Sequence, residues 1–389
     1  MKILKSTFKW IFLAFVTLNI LTLLSGNKFI YKALYYNFVN IDDYKIFENR
    51  AISKSQNPKP WFVSNTYNQK PLSAILLSTL TGMKSVAFVV IKNDSIMNEL
   101  YWEGYTDTSL SNSFSMAKSA VSMLIGAAIK DGLIKSVDQP VADFLPEFKE
   151  GDKANITIKH LLHMSSGLNF DEGTSYSNPF SVITSDIMVA YYDDKLYNTV
   201  ASKKSVEKPG VYYDYKSGDT QLLAFILMKA TGKSLSTYFY EKIWNPIGAE
   251  TTALWSLDKE NGYEKAYCCL NSNARDFAKL AKLYYNKGYA NGLQVVDTAF
   301  VNASLTPSYL LKKSDSTKKC DFYGYQWWLM PNYKTQNVFM LRGILGQLVI
   351  CIPEKNIIIV RLGKSHGGRK GAHFAQTFTL IDEVNAMYP

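Results

Sequence analysis

The hydrophobic pattern of the chain changes period several times. Trp10 to Leu24 is a run of fifteen residues in which only Thr17, Asn19 and Thr22 are polar, and Lys2, Lys5 and Lys9 precede it. That is the form of an export signal or membrane anchor with its positive flank held in the cytoplasm. Residues 27–70 are aromatic and mixed, and Pro58-Lys59-Pro60 breaks any helix there; they read as an extension packed on the body. Lys84 to Ile91 and Ile96 to Tyr105 are β-rich runs joined by Lys92-Asn93-Asp94-Ser95, a hairpin signal. Ala120 to Ile129 is apolar except for Ser122 and Gly126, and Asp131-Gly132 then offers a glycine C-cap, so the pattern predicts a helix buried nearly all round.

Further on, Val141 to Phe148 reads as a loop and Ile156 to Gly167 as a short helix ending at glycine. Residues 169–185 are rich in Asn, Ser, Gly and Pro and too long for a plain connector, which predicts a loop lining a site. Helical periodicity returns at 219–231, 234–243 and 274–286. Tyr323–Met330, Val338–Leu341, Gln347–Ile352 and Asn356–Leu362 then read as strands, followed by a closing helix over Gly371–Met387. Strands at both ends with a helical middle predict an α+β fold, in which one antiparallel sheet is built from both ends of the chain. Helices flank it, and a mainly helical lobe is inserted. The organisation expected is a signal or anchor over 1–26, an extension over 27–70 and one domain over 71–389.

Composition narrows the function classes. A chain of 389 residues with 47% hydrophobic and 20% charged positions buries a sizeable core. The net charge of +10 comes from scattered lysines, with no dense basic block or zinc-finger spacing, which argues against nucleic acid as a partner. Residues 10–24 place the body outside the cytoplasm, either anchored or released after cleavage. Cys268 and Cys269 are adjacent, and neighbours of that kind rarely bridge each other, so the four cysteines are read as small buried hydrophobes. The four histidines do not cluster with them, and neither a metal nor a cofactor is expected.

Six Ser-x-x-Lys spacings occur, and only the one at Ser115 begins a long buried helix. Ser115 at the helix N-terminus and Lys118 three positions on share one face. The exposed N–H groups and positive dipole end there favour an oxyanion forming on a substrate, and the lysine can take or relay the hydroxyl proton. No Gly-x-Ser-x-Gly elbow exists, and His160 and His163 lie on a short amphipathic segment that suits a structural role. A tyrosine is the other candidate for moving protons. Tyr215, after the Pro209-Gly210 turn and before a Ser/Gly/Asp break into a helix, is better placed than the Tyr-x-Asn triplets at Tyr35, Tyr176 and Tyr284. Leu341-Arg342-Gly343-Ile344-Leu345-Gly346-Gln347 precedes a β-hairpin, and its glycines permit close approach of backbone to a ligand.

In this order and context the three pieces resemble the serine β-lactamase and penicillin-binding-protein superfamily, on its class C side. Ser115–Lys118 matches the S-x-x-K element, Tyr215–Ser217 the Y-x-N/S element and Leu341–Gly343 the K-T-G strand. Thr157–Leu168, Ala230–Ser234, Pro246–Gly248 and Tyr323–Trp328 extend the similarity over roughly 80–385. Tyr-Lys-Ser-Gly-Asp-Thr-Gln, the stretch around Asn271 and Arg-Gly-Ile-Leu-Gly-Gln look most like the 6-aminohexanoate-oligomer hydrolases and kindred esterases. The resemblance implies an acyl-enzyme on Ser115, a proton relay through Lys118 and Tyr215, oxyanion N–H groups from Ser115 and Ile344, and no metal. A small ester or linear amide is the expected substrate, with Tyr176 on the long loop, Ser217, Asn271, Gly343 and Gln347 as the expected substrate contacts. A D,D-peptidase or β-lactamase is the alternative within enzymes, and a non-catalytic penicillin-binding-like sensor the alternative outside them. Two departures count against a β-lactam substrate. Ser217 stands where Asn is common, and Leu341 stands where the K-T-G lysine would clamp a carboxylate. Arg342 is expected to point to the opposite face from the site.

Overall fold

The computed structural model describes residues 2–36, 39–173 and 182–389. Helix α1 (Lys2–Leu24) carries the N-terminal apolar run, and its Thr7–Leu24 stretch is long and apolar enough to cross a membrane, with none of it buried against the protein. Residues 29–36 and 39–70 pack on the body. Phe29 and Ala33 enter the main core, Asn49–Ile52 pairs with Ala253–Ser256, and a two-residue strand, β1 (Phe62–Val63), runs parallel to the sheet edge.

The main sheet has seven strands, and both ends of the chain build it. Strands β2 (Ser85–Lys92) and β3 (Ser95–Tyr101) form the expected hairpin. Asn93 and Asp94 turn it with φ of 48° and 63°, the left-handed pair that matches strand twist in a two-residue turn. The C-terminal half supplies β4 (Trp328–Tyr333), β5 (Gln336–Gly343), β6 (Gln347–Ile352) and β7 (Ile357–Gly363), in the order β4-β5-β6-β7-β2-β3-β1. The first of these starts at Trp328 rather than Tyr323, because Tyr323 to Trp327 forms a turn closed by an isolated bridge between Tyr323 and Trp328.

Strand alternation divides the interior in two. Phe339 and Leu341 of β5, Val349 and Cys351 of β6, and Val360 and Leu362 of β7 face the larger core. Met340, Ile350 and Ile359 face the smaller one, under the closing helix. Covered on both faces, β6 and β7 read as continuous apolar runs rather than alternating ones. Helix α2 (Met116–Lys130) fills the larger core, packed against β5 and against helix α3 (Ser217–Thr231), and it is buried from Met116 to Ala128. It stops at the predicted place, with Gly132 at φ 74° where a side chain would be strained. Helix α4 (Ala274–Tyr285) crosses β6 and β7 on the same face, and helix α5 (Ala375–Met387) closes the opposite one.

Candidate active site

The turn into α2 is unusual before it reaches Ser115. Phe114 has φ 44°, a conformation bulky residues rarely adopt, and its N–H is held by Asn112 Oδ1 at 2.9 Å. The N–H groups of Met116, Ala117 and Lys118 fold back onto the carbonyls of Ser113, Phe114 and Ser115. This presents Ser115, the N-cap residue, to a cleft of about 1470 Å³ whose lining also includes Tyr215, Gly343 and Ile344. The residues named for nucleophile, tyrosine and oxyanion strand therefore meet in one cleft.

Lys118 lies beneath, buried. Its Nζ donates to Ser115 Oγ at 3.2 Å, Ser217 Oγ at 3.0 Å and the Tyr267 carbonyl at 2.9 Å, and it sits 5.0 Å from the centre of the Tyr215 ring. Its amine is thereby fixed among three oxygen atoms. Tyr215 itself packs between Trp328 and Tyr323, at ring distances of 5.7 and 6.0 Å.

Gly343 is needed for close approach alone, since its φ of −122° suits any residue. A Cβ there would stand 2.3 Å from the Ser113 carbonyl, so β5 touches the strained turn that carries Ser115. Gly343→Ala is expected to push Ile344 away from Ser115. Displacement on the order of 1 Å in such sites loses about 100-fold in rate. Steady-state kinetics on folded variant protein checks this, and full activity would contradict it.

Several expectations are corrected. Gln347 does not line the cleft. It is buried behind the Ile344–Gly346 turn, where its side chain bonds the Gly363 N–H and carbonyl and donates to the Ile344 carbonyl at 3.3 Å. Asn271 is likewise buried in a small sheet, with Nδ2 on the carbonyls of Cys269 and Leu254, and is not part of the lining. Ser217 sits one layer down, on Lys118 rather than in the cleft wall. Tyr176 lies outside the described residues.

The strand alternation at β5 holds, but the cleft is on the side opposite to the one expected. Leu341 is wholly buried in the larger core, whereas Arg342 lines the cleft. A lysine at 341 would bury an unpaired ammonium, which is strongly unfavourable. Arg342 stacks 3.1 Å from the centre of the Trp328 ring and donates to the Ala372 carbonyl at 2.6 Å. Burial pushes its guanidinium down to about 9, and the nearby Tyr215 phenol opposes that shift.

Two contacts were not read from the sequence. Glu172, from the loop expected to line a site, accepts from the Ser217 N–H and from Ser217 Oγ at 3.2 Å. Loss of water raises its pKa, and Lys118 and Ser217 pull it back. The other is Tyr267, whose contribution is a backbone carbonyl with no signature in its residue type. His373 also lines the cleft, but burial and Arg342 push its pKa down to about 3, which leaves it neutral.

The cysteine reading is corrected as well. Cys268 and Cys269 are joined by a disulfide, in a turn where Cys269 has φ 68° and consecutive side chains are not splayed as in a strand. The pair directly follows Tyr267, the residue that holds Lys118. Cys320 and Cys351 are free and buried. Alkylation of unfolded, unreduced protein is expected to add two groups, and four after reduction; four without reduction would contradict the bridge.

A helix N-terminal serine with a buried lysine at the third position, set against the end of an inner strand of the main sheet, defines an S-x-x-K site on a β-lactamase/transpeptidase-like fold. The beta-lactamase family model matches residues 76–380, and the chain belongs to that family. It is 25% identical over 317 residues to the 6-aminohexanoate-dimer hydrolase of Paenarthrobacter ureafaciens, covering 77% of this chain and 78% of the relative. Among solved structures, a Bacillus anthracis protein assigned as a 6-aminohexanoate-dimer hydrolase superposes with a TM-score of 0.71 at 22% identity, covering 88% of this chain and 89% of that one. A family VIII carboxylesterase superposes with a TM-score of 0.64 at 16% identity, covering 84% and 99%.

Proposed function

We propose that the protein is a serine hydrolase that cleaves esters or linear amides through an acyl-enzyme on Ser115. The observation that carries this is the 3.2 Å contact between Lys118 Nζ and Ser115 Oγ at the floor of the cleft. Ser115 Oγ attacks the substrate carbonyl carbon as its proton passes to the Lys118–Tyr215 pair. The carbonyl oxygen becomes an oxyanion held by the Ser115 and Ile344 N–H groups. The C–O or C–N bond then breaks, and the departing group takes the proton through Tyr215. Water enters, gives its proton to the same pair and attacks the ester carbon, which frees the acid and restores Ser115. The Arg342 cation beside Tyr215 stabilises negative charge on the phenol oxygen during each transfer. The catalytic body works outside the cytoplasm, attached or delivered through Thr7–Leu24.

A second reading, acylation by D,D-peptides or β-lactams, is favoured by Arg342, since a cation in the cleft suits a substrate carboxylate. Intact mass after a fluorophosphonate probe, followed by a panel of p-nitrophenyl esters, linear amides and a chromogenic cephalosporin, tests both readings. One adduct, lost in Ser115→Ala, and ready ester turnover are expected. Labelling that persists in Ser115→Ala would overturn the assignment. Cephalosporin turnover matching the best ester would favour the second reading, and a stable adduct without turnover would favour a sensor.

A further inference from the structure

Lys118 takes its position from a turn that is held shut by a bond between two neighbouring residues. Of the three oxygen atoms around its Nζ, two are serine hydroxyls that can rotate, and the third is the Tyr267 carbonyl at 2.9 Å. The backbone at Tyr267 is therefore the fixed point. It lies in a turn over residues 265–269. The Lys265 and Cys268 carbonyls both accept from the Trp255 indole N–H at 3.1 Å, and the Cys268 N–H returns to the Lys265 carbonyl at 3.1 Å. The Ala266 N–H is held by Gln221 Oε1 at 2.8 Å. Cys269 ends the turn at φ 68° and leads straight into the strand Leu270–Ser272. The Tyr267 side chain adds no hydrogen bond to the turn, since its hydroxyl is buried without a partner among the described residues.

The Cys268–Cys269 disulfide is poorly explained as a staple for the whole fold. A bridge between neighbours closes the shortest possible loop and removes little freedom from the unfolded chain. It does constrain the backbone where it stands. Consecutive side chains of an extended chain point to opposite faces, so two bonded neighbours require a turned backbone. Cys269 occupies a left-handed conformation that few non-glycine residues adopt. Without the bond it is free to relax into the extended backbone of the strand that follows. Both cysteines are buried and neither lines the cleft, so the pair does not touch a substrate.

Resting on the serine-hydrolase reading, we propose that Cys268 and Cys269 are positioning residues for Lys118, and that hydrolysis depends on the bond between them. The disulfide keeps residue 269 left-handed, the turn keeps the Tyr267 carbonyl against Lys118 Nζ, and the amine stays beside Ser115 Oγ. Reduction by a dithiol breaks the S–S bond, leaves two cysteine thiols and converts the dithiol to its own disulfide. The turn then opens, Lys118 loses its fixed acceptor and proton transfer from Ser115 slows, while the cleft that binds substrate is unchanged. With the body delivered out of the cytoplasm, it meets the oxidising conditions in which such a bond persists.

The test uses full-length protein and p-nitrophenyl acetate, with the rate of Ser115 labelling by a fluorophosphonate as a second readout that needs no turnover. Cys268→Ala/Cys269→Ala removes the bridge. Cys268→Ala/Cys269→Gly also removes it but lets residue 269 be left-handed at no steric cost. The alanine pair is expected to lose about 100-fold in kcat, the loss for a displacement on the order of 1 Å, with KM and melting temperature little changed. The glycine pair should regain most of that loss. Dithiothreitol should lower wild-type kcat in step with the rise from two to four cysteines open to alkylation, and reoxidation should restore it. This arm stands even where the alanine pair does not fold. Unchanged kcat in the folded alanine pair or in fully reduced wild type would overturn the positioning role. Equal losses in the two pairs, or a rise in KM that accounts for the loss, would overturn it as well. Labelling that slows on reduction, in protein without ester turnover, would support the positioning role and overturn the hydrolase reading.

Discussion

Lys118→Ala is expected to lower kcat by about 10²–10⁴-fold, the range for losing a positioned acid–base group. Among the described residues, the Lys118 amine is the side-chain group bonded to both Ser115 Oγ and Ser217 Oγ, and the Tyr267 carbonyl at 2.9 Å fixes where it sits. Arginine would not substitute, because its planar fork cannot place a single proton donor among three acceptors around one point. Removing the cation leaves the Glu172 carboxyl with less to oppose its desolvation, so it should take up a proton and then donate to Ser217 rather than unfold the site. Circular dichroism should be unchanged while ester hydrolysis collapses. A folded variant that keeps a tenth or more of wild-type kcat would remove Lys118 from the mechanism.

Tyr215→Phe should cost a similar factor in kcat, about 10²–10⁴-fold, with little change in KM. The substitution isolates the hydroxyl, since the ring contacts to Trp328 and Tyr323 survive in phenylalanine. If the phenol carries protons between Lys118 and the departing group, phenylalanine leaves that group without an acid while binding is retained. Near-full activity in Tyr215→Phe together with loss in Tyr176→Phe would move the role to Tyr176.

The parts of this protein that follow from local pattern were legible in its sequence. Ser115 and Lys118 share a helix face by spacing alone, the apolar run after them has to be buried, and Asp131-Gly132 has to end it. Asn93-Asp94 marks the hairpin, and the apolar strands near the C-terminus mark a sheet covered on both faces. The strained Phe114 turn and the Gly343 contact with Ser113 are different in kind: glycine was visible there, but not what it approaches. Tertiary structure alone decided which face of β5 opens to the cleft. Alternation separates Leu341 from Arg342, but only the placement of α2 on one side and the Trp328–Phe374 wall on the other makes the first core and the second site. Gln347, Asn271 and Ser217 carry the right chemistry for substrate contacts, yet long-range pairing sets each of them behind the surface. Glu172 and the Tyr267 carbonyl reach Ser217 and Lys118 from elements far away in the chain. Periodicity reports how each segment divides its own faces; what covers a face depends on contacts between segments that no local pattern encodes.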